Sequence, residues 1–115
     1  MFFETLNKHV IRQVKKTNQY NINSLIYQMN FDGLDKLVQK RIPNKTQISE
    51  IIDLYIENKQ FDYLANLVIN SRLDKSKFEK SILFLRDNMQ TILLSKIIQE
   101  CPYLTNQLLK IIQGA

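Results

Sequence analysis

Residues 48–68, ISEIIDLYIENKQFDYLANLV, decide the fold class because they contain two helical patterns separated by a short polar break. In the first pattern apolar residues follow the i, i+3, i+4, i+7, i+8 spacing of one helix face: Ile48, Ile51, Ile52, Tyr55 and Ile56. In the second pattern Leu64, Leu67 and Val68 share one face. The intervening Lys59-Gln60-Phe61 is long enough only for a tight turn. We therefore predict two antiparallel helices over 47–58 and 62–71.

The rest of the chain repeats this pattern with a period of thirty residues. At that offset, apolar residues coincide in six columns: Leu34, Leu64 and Leu94; Leu37, Leu67 and Ile97; Val38, Val68 and Ile98; Ile22, Ile52, Ile82 and Ile112; Leu25, Tyr55 and Leu85; Ile48, Phe78 and Leu108. A helical unit of this length cannot bury its apolar face alone, so neighbouring units stack. We predict an all-α fold, an α-solenoid of antiparallel helical hairpins, forming a single helical-repeat domain over residues 1–115.

The same plan predicts where individual helices and loops lie. Helices are expected over 3–16, 20–29, 32–41, 47–58, 62–71, 76–88, 91–100 and 103–113, with loops over 18–23 and 43–46. The apolar stretches at both ends allow two interpretations. They close the ends of the core, or one end docks onto another subunit or continues into a longer solenoid.

Composition narrows the class of protein further. Two glycines and two prolines in 115 residues are few for an all-β chain, which needs many tight turns. One cysteine, Cys101, excludes an intramolecular disulfide. The chain begins without the pattern of a signal peptide and contains no apolar run of the roughly 20 residues that cross a bilayer. We expect a soluble cytoplasmic protein.

The chain offers little of the chemistry that enzymes use. His9 is the only histidine and Cys101 the only thiol, so no zinc site is predicted, and no glycine-rich phosphate loop occurs. Carboxylate pairs such as Asp32/Asp35 are expected to be solvated. We predict no enzymatic activity, no cofactor and no metal.

A group of basic residues is the candidate binding site. The net charge is +5, and bases concentrate at two inter-helix connections that repeat geometry places on the same edge. We call this group the basic ridge: Lys40, Arg41, Lys45, Arg72, Lys75, Lys77 and Lys80. One interpretation is that these bases balance helix carboxyl ends and solvate the edge. The other is that they bind acidic protein, anionic lipid headgroups or RNA.

Residues 51–68 resemble helical repeats of the clathrin-heavy-chain type found in vacuolar-sorting subunits. The continuations over 71–77, 82–85 and 94–98 are similar to the colon-cancer-associated Mic-like domain of a trafficking regulator. The resemblance covers about 47–112 and rests on apolar spacing with a few polar matches. The large β-propeller that accompanies that domain is missing here. The resemblance implies a scaffold at endosomal or lysosomal membranes, and it transfers no catalytic residue.

Three functions from different classes remain open at this point. The favoured hypothesis is a protein-interaction scaffold that uses apolar end faces and is peripheral to endolysosomal membranes. The first alternative is nucleic-acid binding through the basic ridge, which is disfavoured because aromatic residues occupy core positions instead of standing beside the bases. The second alternative is a self-associating helical protein of a virus or other pathogen.

Overall fold

The structure, a computed structural model, describes residues 21–114, and these residues are helical with short connections. Residues 21–27 are the described part of α1. The following helices are α2 (Phe31–Gln39), α3 (Lys45–Glu57), α4 (Phe61–Asn70), α5 (Lys75–Asp87), α6 (Thr91–Glu100), the 3₁₀ helix Pro102–Leu104 and α7 (Thr105–Gly114). No strand occurs over 21–114, so the all-α prediction is confirmed there. The predicted helix over 3–16 lies outside the described residues, as does His9.

The predicted helices of the described part are confirmed, and most begin one or two residues earlier than expected. The loop predicted over 43–46 is wrong at its end because α3 already begins at Lys45. There the Asn44 side chain accepts from the Gln47 N–H, and the Gln47 side chain accepts from the Asn44 N–H, at 2.9 Å and 3.0 Å. This capping box satisfies amide groups that a helix start leaves unpaired.

The loop predicted over 18–23 is also wrong where it can be compared, since residues 21–23 are helical. Asparagine is a weak helix former, and it occupies two of these three positions. Ile22 between them is fully buried in the core. Packing of this side chain therefore outweighs the local propensity.

Three turns between helices have the same backbone geometry at intervals of thirty residues. Met29, Lys59 and Met89 each adopt a positive φ, of 55°, 52° and 58°. The backbone N–H of the residue after each of them donates a hydrogen bond to the carbonyl five residues earlier: Asn30 to Leu25, Gln60 to Tyr55 and Gln90 to Leu85. This pairing is the Schellman motif, which satisfies the last carbonyls of a helix and ends it. The thirty-residue period of the sequence is therefore also a period of the backbone.

Side chains strengthen two of these turns in the same way. The Asn58 amide donates to the Leu54 carbonyl and the Asn88 amide to the Phe84 carbonyl, both at 2.8 Å. Gln60 and Gln90 then donate to the carbonyls of Asn58 and Asn88, both at 3.1 Å. Asparagine and glutamine recur at these positions because each supplies the donor that the exposed helix end requires.

The helices pack in two rows. Helices α2, α4 and α6 contact one another in succession, as do α3, α5 and α7, and further contacts of α3 with α4, α4 with α5 and α5 with α6 join the rows. Every member of the six apolar columns belongs to one hydrophobic core between these helices. Leu64 of α4 is fully buried in this core. Burial of a side chain of this size contributes about 1.5–3 kcal/mol to the stability of the fold.

The last helix turns most of its apolar surface inward. Leu108 is buried and Leu104, Ile111 and Ile112 are half-buried against the core, whereas Leu109 is exposed. The other exposed positions of α7 are Gly114 and four polar residues: Asn106, Gln107, Lys110 and Gln113. This arrangement favours the interpretation that the apolar residues near the carboxyl end close the core.

Candidate functional site

Two connections between helices carry the seven residues of the basic ridge. Lys40 and Arg41 lie between α2 and α3, and Lys45 is the first residue of α3. Arg72 lies between α4 and α5, and the others occupy the first two turns of α5: Lys75, Lys77 and Lys80.

Local backbone structure holds both connections in place. Arg41 adopts a φ of 57°, and the Ile42 N–H donates to the Leu37 carbonyl at 3.2 Å, which makes the end of α2 another Schellman motif. At the second connection the Asp74 side chain accepts from the Lys77 N–H at 2.9 Å and caps α5. The ridge is thus built on defined helix ends.

Hydrogen bonds show that the starts of α3 and α5 lie side by side. The Lys77 ammonium group donates to the Lys45 carbonyl at 3.1 Å, although the two residues are far apart in sequence. Further along the two helices, the Lys80 ammonium group of α5 pairs with the Asp53 carboxylate of α3 at 2.6 Å. The structure therefore brings bases of the two connections to one edge.

The seven bases divide into a paired and an unpaired group. Lys80 forms an ion pair with Asp53, and Lys77 forms a longer one with Asp74 at 3.8 Å. Exposed pairs of this kind are worth at most about 1 kcal/mol, but they reduce the local positive charge. Within residues 21–114 the other five are exposed and form no ion pair with a carboxylate: Lys40, Arg41, Lys45, Arg72 and Lys75. These five form the positive part of the ridge.

A residue that the sequence analysis missed extends the ridge to a third connection. The Cys101 thiol donates to the Ile69 carbonyl (Sγ–O 3.7 Å), which places the end of α6 beside the end of α4. Tyr103 follows in the next connection, and 74% of it is exposed. A hydrogen bond with the Cys101 thiol raises the pKa of Tyr103, and the charges of Arg72 and Arg41 act in the opposite direction.

The sequence contained a signal for this third position. Arg41, Arg72 and Tyr103 follow one another at intervals of thirty-one residues, close to the period of the apolar columns. A search for charge alone omits Tyr103. Cys101 comes directly after the helix predicted over 91–100, and in the structure it is the buried carboxyl-terminal cap of α6.

A second polar cluster lies around three aromatic rings of α2, α3 and α4. Phe31, Tyr55 and Tyr63 pack with ring centroids 5.7–6.1 Å apart. The Tyr63 hydroxyl donates to Asp32, and this hydrogen bond is the main cause that raises the pKa of Tyr63. The cluster joins the start of α2 to α4.

Two buried atoms of this cluster have no hydrogen-bond partner among residues 21–114: the hydroxyl oxygen of Tyr55 and Oδ1 of Asp35. Burial raises the pKa of Tyr55, and the nearby Asp35 carboxylate and Tyr63 add to the shift. The prediction that Asp35 is solvated is therefore wrong for one of its oxygens, while Oδ2 accepts from Gln39 at 2.8 Å. Asp32 is exposed, as predicted.

Among residues 21–114, no group of three or more histidine, cysteine, aspartate or glutamate side chains is arranged to hold a metal ion. No helix within 21–114 combines the length and the apolar character that crossing a membrane requires. The most exposed apolar side chains of this part lie at or near inter-helix turns: Tyr27, Met89, Ile92 and Tyr103.

The chain matches no protein-family model, no curated protein and no solved structure. The resemblance to clathrin-type and Mic-like repeats consequently stays a prediction from the sequence.

Proposed function

We propose that this chain is a non-enzymatic protein-interaction scaffold built as an α-solenoid of antiparallel helical hairpins. The observation that carries the proposal is the recurrence of one turn geometry at Met29, Lys59 and Met89. Repetition of the same turn, together with the two rows of helices, is what stacked hairpins require. Arrays of this type provide extended surfaces, and such surfaces are used to bind other proteins.

The setting that we propose for this scaffold is the cytoplasmic face of endosomal or lysosomal membranes. It is supported by the resemblance of residues 51–68 to repeats of trafficking subunits. A peripheral protein of this kind needs only contacts with other subunits and with anionic headgroups.

Nucleic-acid binding is the second candidate, and the five unpaired bases of the ridge favour it. Proteins that bind single-stranded nucleic acid combine basic residues with exposed aromatic rings, on which the nucleobases stack. Here Phe31, Phe61 and Phe84 are half-buried against the core, and Phe61 and Phe84 stack on each other at 5.5 Å. Tyr103 is the one strongly exposed aromatic residue among those described at the ridge. The protein-binding function is therefore favoured.

Capture from a native lysate of the source, with and without nuclease, tests the proposed function. The tagged chain should retain a defined set of proteins in both conditions, whereas an unrelated tagged helical protein should not. Retention of ribosomal or other nucleic-acid-associated proteins that disappear with nuclease would overturn the proposal. Light scattering of the purified chain tests the self-association alternative. That alternative requires the molar mass of an oligomer at the concentration used in the capture.

A further inference from the structure

We propose that the basic ridge, together with Tyr103, binds an acidic, extended segment of a partner protein. This inference rests on the proposed function, because it names the surface and the chemistry through which a protein-binding scaffold would hold its partner. It uses the five unpaired bases, the exposed phenol and the spacing of three successive connections.

The charge of the ridge is not satisfied within the described residues. Asp53 and Asp74 neutralise Lys80 and Lys77, and no carboxylate of residues 21–114 forms an ion pair with the other five bases. A cluster of like charges raises the local potential and attracts an oppositely charged partner. The ridge is therefore complementary to a carboxylate-rich ligand.

Arg41 and Arg72 are the expected anchors of this ligand. Each guanidinium group can bind a carboxylate through two parallel hydrogen bonds, which a lysine ammonium group cannot do. Both side chains are exposed, and they follow the ends of α2 and α4, which belong to the same row of helices as α6, after which Tyr103 lies. The ridge therefore carries two guanidinium groups and one phenol hydroxyl along the edge formed by the three connections.

The spacing of the connections favours an extended segment. Arg41, Arg72 and Tyr103 follow the ends of α2, α4 and α6, which pack against one another in succession. Neighbouring helices pack at roughly 8–10 Å. Three residues of an extended polyproline-type segment cover about 9 Å and bring every third side chain to the same side. In such a segment, acidic residues at every third position would thus lie opposite successive connections of the ridge.

Fluorescence anisotropy with a labelled peptide that repeats Glu-Ala-Pro tests this surface directly. The wild-type chain should bind it at low salt, and affinity should fall as salt is raised because exposed charges are screened. The matched Lys-Ala-Pro peptide should not bind. A labelled oligouridine of equal length serves as the nucleic-acid probe.

Charge reversal assigns the binding to the ridge. The double variant Arg41→Glu/Arg72→Glu should weaken binding at least tenfold, equivalent to about 1.4 kcal/mol. The double variant Lys59→Glu/Lys96→Glu changes net charge equally at exposed positions away from the ridge, and it should change affinity less than about threefold. Arg41 and Lys59 both adopt positive φ, so each double variant places one of its two glutamates in this backbone conformation. Circular dichroism checks that both variants are folded.

Three results would overturn the inference: no binding of the acidic peptide, equal weakening by the two double variants, or tighter binding of oligouridine than of the peptide. Repeating the lysate capture with the ridge variant separates the two proposals. If the same proteins are retained, the scaffold function stands and the ridge is not its binding surface. If neither variant nor wild type retains any protein, the proposed function itself fails.

Discussion

Replacing Tyr55 by phenylalanine should stabilise the fold, because it removes a buried hydroxyl that has no partner. The side chain is fully buried, and its oxygen makes no hydrogen bond within the described residues. Leaving such a group unsatisfied costs about 1–3 kcal/mol. Phenylalanine keeps the ring that packs against Phe31 and Tyr63, at centroid distances of 6.1 Å and 5.7 Å. The loss of one oxygen leaves a small void that costs roughly 0.5 kcal/mol.

The expected net gain in the free energy of unfolding for Tyr55→Phe is therefore about 0.5–2.5 kcal/mol, or a rise in Tm of about 2–10 °C for a chain of this size. Urea denaturation followed by circular dichroism measures it, and the slope m should stay constant. Tyr63→Phe is the matched control. Its hydroxyl donates to Asp32, so its removal should bring no gain. A loss of stability in Tyr55→Phe at unchanged m would show that the hydroxyl has a partner, and the reasoning would be wrong.

The same variant makes a prediction about alkaline pH. Burial, followed by Asp35 and Tyr63, raises the pKa of Tyr55 above its ordinary value of 10.0. Because the folded protein holds this proton more tightly than the unfolded chain, the contribution to stability is complete below pH 10.0 and is lost progressively as the pH rises toward the folded pKa. Tyr55→Phe should therefore lose stability less steeply above pH 10.0 than the wild type does, and equal slopes would contradict this.

Three further substitutions test the core, a turn and a cap, each by urea denaturation. Leu64→Ala should lower the free energy of unfolding by about 2–5 kcal/mol, because removal of a fully buried side chain leaves a cavity. Its control Ile92→Ala, at an exposed position, should change this free energy by less than about 0.5 kcal/mol. Met89→Gly should raise the free energy of unfolding by up to about 1 kcal/mol, because relief of the positive φ, about 1–2 kcal/mol, exceeds the entropic cost of glycine, about 0.5–1 kcal/mol. The side chain is 87% exposed, and a loss of stability would mean that it has a contact. Asn44→Ala removes the capping box of α3 and should lower the free energy of unfolding by about 1 kcal/mol. An unchanged urea midpoint would contradict this cap.

The sequence predicted the helices well because each apolar column combines local spacing with a thirty-residue repeat. Leu34, Leu64 and Leu94 satisfy both tests, and all three are buried. Residues 21–23 were predicted both as part of the helix over 20–29 and as part of the loop over 18–23, and the structure confirms the helix, in which Ile22 is fully buried.

The candidate site was predicted less completely, because its properties depend on neighbours distant in sequence. The basic ridge follows from repeat geometry, but the pairing of Lys80 with Asp53 depends on how α5 lies on α3. The partly buried carboxylate of Asp35 depends on packing between helices in the same way. Tyr103 was missed because the ridge was defined by charge alone, and an exposed tyrosine gains its significance only from the packing of α6 against α4, which places its connection next to that of Arg72.

The short reach of contacts between helices has a consequence for folding kinetics. The side-chain hydrogen bonds that join different helices in the described part connect residues 25 to 32 positions apart. Most contacts of the described part lie within single helices or between neighbouring ones, so the mean sequence separation is small and the contact order low, and such chains fold fast. In the solenoid that we propose, nucleation at one hairpin can propagate in both directions, one neighbour at a time. Native-state hydrogen exchange should accordingly show graded opening, with the amides of α7 released before those of α4.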